Sequence, residues 1–228
     1  MQLNSNRRNL VLDRLPASEF NAISADLKPI SLSKNTTLFE ADEDSEFIYF
    51  PTNSVISIIG DAGEGGSIEV WAVGNEGAAG IASILGKKKP FRAIVQVPGS
   101  AFVAKASSIR RYFQKRGAFH DAVLRYYDYL LVQISYLGIC NSRHPIEQRF
   151  SRWLLMLQER AGTAELKFTQ DSIAGALGTR RATISEAAAA LQSAGLISYT
   201  PGAITIKSRK GLQKAACRCY KVISSTLT

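Results

Sequence analysis

The chain of 228 residues carries 28 Lys and Arg against 19 Asp and Glu, a formal net charge of +9, with 46% hydrophobic and 21% charged residues. This is the composition of a soluble globular chain long enough to fill two cores, and it lacks any apolar run near the roughly 18 residues that cross a bilayer. The opening MQLNSNRRNL has no hydrophobic signal core, so a cytoplasmic protein with no membrane partner is expected.

The first half reads as short strands. Thr37 to Phe39, Glu46 to Phe50, Ser54 to Ile59, Ser67 to Ala72, Ile94 to Val97 and Ala101 to Ala104 are β-rich runs, separated by turn-forming clusters such as GDAGEGG, NEG and PGS. Eight or so such strands around one core predict an antiparallel roll or jelly roll. An enzyme built on such a roll, as in cupins, would need a histidine-rich metal site, and the chain has 2 histidines.

From about Ala118 to Asn141 the sequence predicts one long helix without proline. Phe119, Val123, Tyr126, Leu130, Gln133, Leu137 and Cys140 recur at alternating spacings of four and three, a heptad stripe that suits either core packing or a dimer seam. Pro145 disfavours helical geometry at His144, so the helix breaks there and restarts over Ile146 to Arg160, which makes this junction the expected hinge.

The stretch FTQDSIAGALGTRRATISEAAAALQSAGLI, from Phe168 to Ile197, predicts helix, tight glycine turn, helix. Thr169 can cap a first helix over Gln170 to Leu177, and Asp171 lies in its first turn, where the dipole favours negative charge. Gly178 stands where a left-handed residue is needed, and Thr179 can cap the second helix, whose inward positions are Ile184, Ala187, Ala188 and Leu191. SYTPGAITIK then reads as two short strands about Pro201-Gly202, a hairpin wing. The outward face of the second helix opens with Arg180, Arg181, Thr183, Ser185 and Glu186. Arg181 suits a bidentate contact to guanine, Glu186 can accept from cytosine, and Ser185 can do either, whereas Thr169, Gln170 and Thr183 suit phosphates. A capped, merely solvated helical hairpin is the plain alternative.

Charge follows the same division. Residues 144 to 228 hold 12 Lys and Arg against 5 Asp and Glu, whereas residues 1 to 143 are nearly balanced. Phosphate neutralisation by double-stranded DNA explains this better than RNA, for which no aromatic stacking platform is present. Cys140, Cys217 and Cys219 are an odd count without zinc spacing. Cys140 reads as core, and Cys217-x-Cys219 as ordinary or redox-sensitive thiols. His120 and His144 are far apart in sequence with no cysteine or acidic cluster beside them, so neither a metal nor a cofactor is expected.

The order T-x-x-x-I-A-x-x-L-G-x-R-R-x-T-I-S, followed by A-G-L-I, resembles the output domain of the Crp/Fnr transcription regulators. The run Leu38-Phe39-Glu40, Phe47 to Phe50, Ser54-Val55 more weakly resembles that family's cyclic-nucleotide-binding roll. The resemblance implies an α+β protein with three parts: an antiparallel effector β-roll over 1–117, a dimerisation helix and hinge over 118–143, and a winged helix-turn-helix over 144–228. It implies a non-enzymatic homodimer on a palindromic operator, with RNA polymerase as a further partner. By position, Arg181, Ser185 and Glu186 would read bases, and Thr169, Gln170, Arg180 and Thr183 would touch the backbone. Ala182 stands where many members have a base-reading glutamate, and Glu186 where many have arginine, so a different half-site is expected.

In the roll, Gly80 aligns with the glycine of the family's phosphate-binding element and Arg92 with its arginine, at a spacing one residue longer than usual. Ile81 replaces the glutamate that accepts from the ribose, and Ala93 replaces a phosphate-binding Ser or Thr. An unpaired hydroxyl in a pocket costs about 1–3 kcal/mol, so cyclic AMP is not the expected effector, and an unidentified small molecule is left open. Arg92 is either an anion site or an exposed charge beside the lysines at 87–89. Ser135 lies near a position from which relatives touch the effector. Three cysteines cannot supply the four that the family's iron-sulfur members use. A ligand-binding roll with an accessory helical domain and a non-specific DNA binder remain as alternatives.

Overall fold

The computed structural model describes residues 9–63, 66–86 and 88–227. The amino-terminal eight residues, Glu64 and Gly65 of the GDAGEGG turn, Lys87 of the lysine run and Thr228 lie outside the described residues. The chain divides into two compact units, Met1–Gly60 with Ala72–Leu130, and Asp61–Trp71 with Leu131–Thr228.

The first half contains short helices α1 (Leu10–Asp13) and α2 (Ala17–Ser24), then strands β1 (Lys28–Leu32), β2 (Thr37–Phe39), β3 (Phe47–Pro51), β4 (Val55–Asp61), β5 (Ser67–Val73), β6 (Phe91–Val97) and β7 (Gly99–Lys105). A 3-10 turn spans Ile81–Leu85, and α3 (Ala106–Gln114) leads into α4 (Ala118–Arg143). The strands form antiparallel sheets of order β1-β7-β3 and β2-β6-β4-β5, the class the sequence predicts. Ile48, Phe50, Val55, Ile56, Ala93, Val95, Ala101 and Ala104 are buried between 0% and 3% exposure and make the core. The sequence reading missed β1 because KPISL shows one buried residue in five. Its ladder comes from β7, and its Pro29 is tolerated on an edge.

The NEG run is tied into this core rather than forming a simple exposed turn. Glu76 is 5% exposed and accepts from the Gly74 amide, and Asn9 donates to the carbonyls of Gly77 and Pro51. A Cβ on Gly77 would sit 2.1 Å from the Tyr126 ring, so glycine is required there by close approach. Glu19 caps α4, its two carboxylate oxygens accepting from the amides of Ala118 and Phe119.

The predicted heptad stripe needs correction as a dimer seam. Phe119, Val123, Tyr126, Leu130, Gln133 and Cys140 are all at or below 9% exposure within a single chain and Leu137 is half-buried, so this stripe is largely the helix's own core face. The apolar residues that α4 leaves in solvent are Leu124, Leu131 and Ile139. Periodicity reports that a stripe exists but not what covers it.

The second half contains α5 (Ile146–Ala161), β8 (Glu165–Leu166), α6 (Gln170–Leu177), α7 (Arg181–Ser193), β9 (Ile197–Thr200), β10 (Ala203–Ile206), α8 (Arg209–Ala215) and α9 (Arg218–Ser225). α5 starts after Pro145, as the sequence predicts, and is buried continuously from Phe150 to Leu157. The wing strands pair antiparallel, with β8 on the other side of β10. No helix among the described residues is long and apolar enough to cross a membrane.

Replacing Gly77 by alanine drives a methyl into the Tyr126 ring, an overpacking cost of about 1–3 kcal/mol. Equilibrium urea unfolding of G77A is expected to show a lowered midpoint with an unchanged slope, and an unshifted midpoint would show that the ring moves aside freely.

Candidate nucleic-acid interface

The turn between α6 and α7 is built as its residues dictate. The Thr169 hydroxyl accepts from the Ser172 amide and starts α6. Gly178 adopts φ +59 and ends it, while the Thr179 amide donates back to Ala174. Because Thr179 is used in closing the first helix, the second begins one residue later than the sequence suggests, with Arg180 at the cap position and no side-chain cap bond. The Arg149 guanidinium on α5 donates to the Leu177 carbonyl, a clamp on the end of α6 that no local pattern reveals.

Beneath this turn the apolar side is complete. Ile173, Ala174 and Leu177 of α6 and Ile184, Ala187, Ala188 and Leu191 of α7 are all buried. Trp153 meets Phe168 edge-on with ring centroids 5.0 Å apart. Within the same unit, Trp153 donates to Glu69, and the Ile68 side chain lies where a Cβ on Gly178 would be.

On the opposite side, Arg180, Arg181, Ala182, Ser185 and Glu186 are exposed and Thr183 is half-buried. The residues read as base-contacting therefore share the solvent face of α7. Gln170 lies with them, accepting from Arg181 Nε at 3.4 Å, and Asp171 is 3.9 Å from the same nitrogen. Both Arg181 and Asp171 are about two-thirds exposed, and surface pairs of this kind hold a side chain with at most about 1 kcal/mol. Arg181 is thus ordered lightly and can exchange these partners for a base edge.

The residues aligned with an effector pocket sit in different surroundings. Gly80, at φ +78, opens the 3-10 turn, where a Cβ would lie 2.7 Å from the Phe47 carbonyl. Ile81 is 4% exposed and Ala93 fully buried, so both side chains are core. Arg92 is half-buried on β6 opposite Ile59, and Ser135 is exposed on α4 in the second unit.

The reading of the cysteines and of His144 as lacking ligand neighbours is overturned. Folding brings Cys140, His144, Cys217 and Cys219 together, with their donor atoms within 4.8 Å of one another. Cys217 and Cys219 reach this place through α8 and α9, two helices the sequence reading did not anticipate. They are fastened to α5 by Arg209, which donates to Gln158 at 2.9 Å and to Glu159 at 2.5 Å, and by the Tyr220 hydroxyl, which also donates to Glu159. His120 stands apart from this group, beside Asp121 and the Phe113 ring.

Residues 148–215 match the model of the Crp-like helix-turn-helix domain. A search of curated proteins finds no match. Among solved structures, a transcriptional regulator of the Crp/Fnr family from Eubacterium rectale is similar with a TM-score of 0.68 at 17% identity, over 92% of this chain and 99% of that one. FixK2 from Bradyrhizobium japonicum is similar with a TM-score of 0.61 at 20% identity, over 84% and 98%. The c-di-GMP-responsive regulator CLP from Xanthomonas campestris is similar with a TM-score of 0.67 at 13% identity, over 85% and 100%. At these identities the likeness establishes the fold.

Proposed function

We propose that the chain, which carries a Crp-like helix-turn-helix domain over residues 148–215 on the fold seen in Crp/Fnr regulators, is a DNA-binding transcription regulator of that type, acting as a cytoplasmic homodimer on a palindromic operator without responding to cyclic AMP. The observation that carries the reading is the solvent face of α7, where Arg181, Ser185 and Glu186 stand over a fully buried apolar underside. A helix supported this way can enter a major groove without losing core contacts. Arg181 and Glu186 take the base edges, and Ser185 reads with them. Thr169, Gln170, Arg180 and Thr183 hold the phosphates and fix the register. Two copies reach grooves one turn apart, about 34 Å, when joined two-fold.

The exposed stripe of Leu124, Leu131 and Ile139 is the surface that such a dimer would bury. The effector reading rests on Ile81 and Ala93. Both are buried hydrocarbon, so neither gives a ribose hydroxyl or a cyclic phosphate a hydrogen-bonding partner. A different small molecule, using Arg92 for an anionic group, or constitutive binding without any effector, is compatible with these positions. Whether contact with RNA polymerase activates or repression follows is set by where the operator lies.

Selection of bound sequences from a random DNA pool, with and without cyclic AMP at fixed salt, tests the reading. A palindrome recovered in both samples is the expected result; a palindrome only with nucleotide would reject the reading of Ile81, and no motif in either would reject effector-independent sequence-specific binding. On the selected site, Arg181→Ala is expected to lose discrimination at one base pair per half-site by about 1–3 kcal/mol. Equal weakening on every sequence would assign Arg181 to the backbone instead.

Leu131→Asp addresses the dimer. Leu131 is 66% exposed, so the protomer should fold unchanged, while each lost leucine removes about 1.5–3 kcal/mol from the interface. Sedimentation equilibrium is expected to show a shift toward monomer, and an unchanged dimer would place the interface elsewhere.

A further inference from the structure

Away from the DNA-reading face, two segments more than 70 residues apart converge on one small volume, as Cys140 and Cys217 show at a separation of 77 positions. Cys140 occupies the last turn of α4, and His144 follows one helical turn later, its amide still donating to the Cys140 carbonyl. Cys217 is the cap residue of α9, with extended backbone, and Cys219 lies in that helix's first turn. The Cys140 and Cys217 sulfurs are 3.4 Å apart, and Cys219 Sγ is 3.6 Å from His144 Nδ1. The three thiols are buried to 5% exposure or less, and His144 is half-buried.

These separations are those of one ion's coordination shell. Ligands at about 2.3 Å for sulfur and about 2.0–2.1 Å for nitrogen stand at tetrahedral corners roughly 3.5–3.8 Å apart. An iron-sulfur cube would spread its ligands wider, because four metals and four sulfides lie between them. A Cys140–Cys217 disulfide would use two of the four groups and leave Cys219 and His144 facing each other without a purpose.

Charge supplies a second, independent observation. Arg152 of α5 is 3% exposed, its Nε has no hydrogen-bond partner among the described residues, and its guanidinium reaches only sulfur, that of Met156 and the Cys140 thiol. A buried guanidinium requires compensating negative charge. Arg152 lies within electrostatic reach of all three cysteines. Neutral thiols would give it none, whereas three thiolates and a neutral imidazole around a divalent cation sum to one negative charge. The start of α9 adds the positive end of its dipole, which favours thiolates at Cys217 and Cys219.

We propose that Cys140, His144, Cys217 and Cys219 form a closed tetrahedral site for one thiophilic divalent cation, Zn2+, which fastens α9 to the last turn of α4 across the break at Pro145. With four protein ligands the site leaves no open position, so its role is structural, and the metal's binding energy becomes folding energy for the carboxyl-terminal helices. The inference does not depend on what DNA the protein binds, and its test has no DNA readout.

Full-length protein, reduced and dialysed free of metal, is titrated with Co2+. The expected result is the intense visible absorption of tetrahedral cobalt together with thiolate-to-cobalt charge transfer, saturating at one equivalent per chain and abolished by one equivalent of Zn2+. Cys217→Ser and His144→Ala are expected to weaken binding by at least the about 10–100-fold typical of losing an outer-shell partner, with Arg181→Ala as an unaffected control. If a ligand variant fails to fold, the wild-type titration still decides, because stoichiometry and geometry are read without it. Pale octahedral cobalt, no saturable uptake, a disulfide formed in place of metal uptake, or a multi-iron chromophore in the isolated protein would each overturn the assignment.

Discussion

The carboxyl-terminal half depends on α5 being surrounded. From Phe150 to Leu157 it exposes no face to water, which is the condition of a central helix rather than of an amphipathic one. α7 packs on it, as do α8, α9 and β8. Its polar residues therefore act as connectors. Arg149 holds the Leu177 carbonyl at the end of α6, and Gln158 and Glu159 receive Arg209 from α8. Trp153 stacks edge-on against Phe168, which precedes the cap of α6. The angle at which α7 offers Arg181, Ser185 and Glu186 to solvent is set from this one element.

What could be read from the sequence divides along the range of the interactions involved. Caps, the left-handed glycine and the apolar period of α6 and α7 all act within about thirty residues, and they specify that segment almost alone: Gln170 to Leu177 folds as read. Thr179 was misplaced by one step because two roles compete for it, and closing the first helix wins over capping the second. The stripe on α4 was legible as a stripe, but burial by distant parts of the chain decides its use. β1 was illegible because an edge strand containing Pro29 borrows its order from β7. The thiol cluster is the extreme case. Cys140-x-x-x-His144 and Cys217-x-Cys219 are each weak patterns, and only the unforeseen helices α8 and α9 bring them together. The one available signal is the i, i+4 spacing of Cys140 and His144 at the end of α4, where the His144 amide still bonds the Cys140 carbonyl and keeps the two close.

In the amino-terminal half, the residues of the loop around Gly80 serve the core. Gly80 adopts the left-handed conformation and approaches the Phe47 carbonyl closely, so this position requires glycine. Ile81 and Ala93 are buried hydrocarbon, part of the core of this half. Arg92 is half-buried on β6, opposite Ile59.

The two arginines of α5 connect the two ends of the carboxyl-terminal half. Arg149 and Arg152 are three residues apart, hence on neighbouring positions of one helix face, and their like charges oppose each other. Burial is the main influence that disfavours the Arg149 charge; Cys140 and Cys217, when negative, support it and Arg152 opposes it. A negatively charged thiolate centre thus stabilises Arg152 directly and Arg149 through the same field. Arg149 is the group that holds the last carbonyl of α6, immediately before Gly178 turns the chain into α7. At the proposed metal site, negative charge on Cys140 and Cys217 would thus act on the arginine that holds the end of α6. Arg152 is buried and Arg149 half-buried, on a helix whose stretch from Phe150 to Leu157 is enclosed by its core.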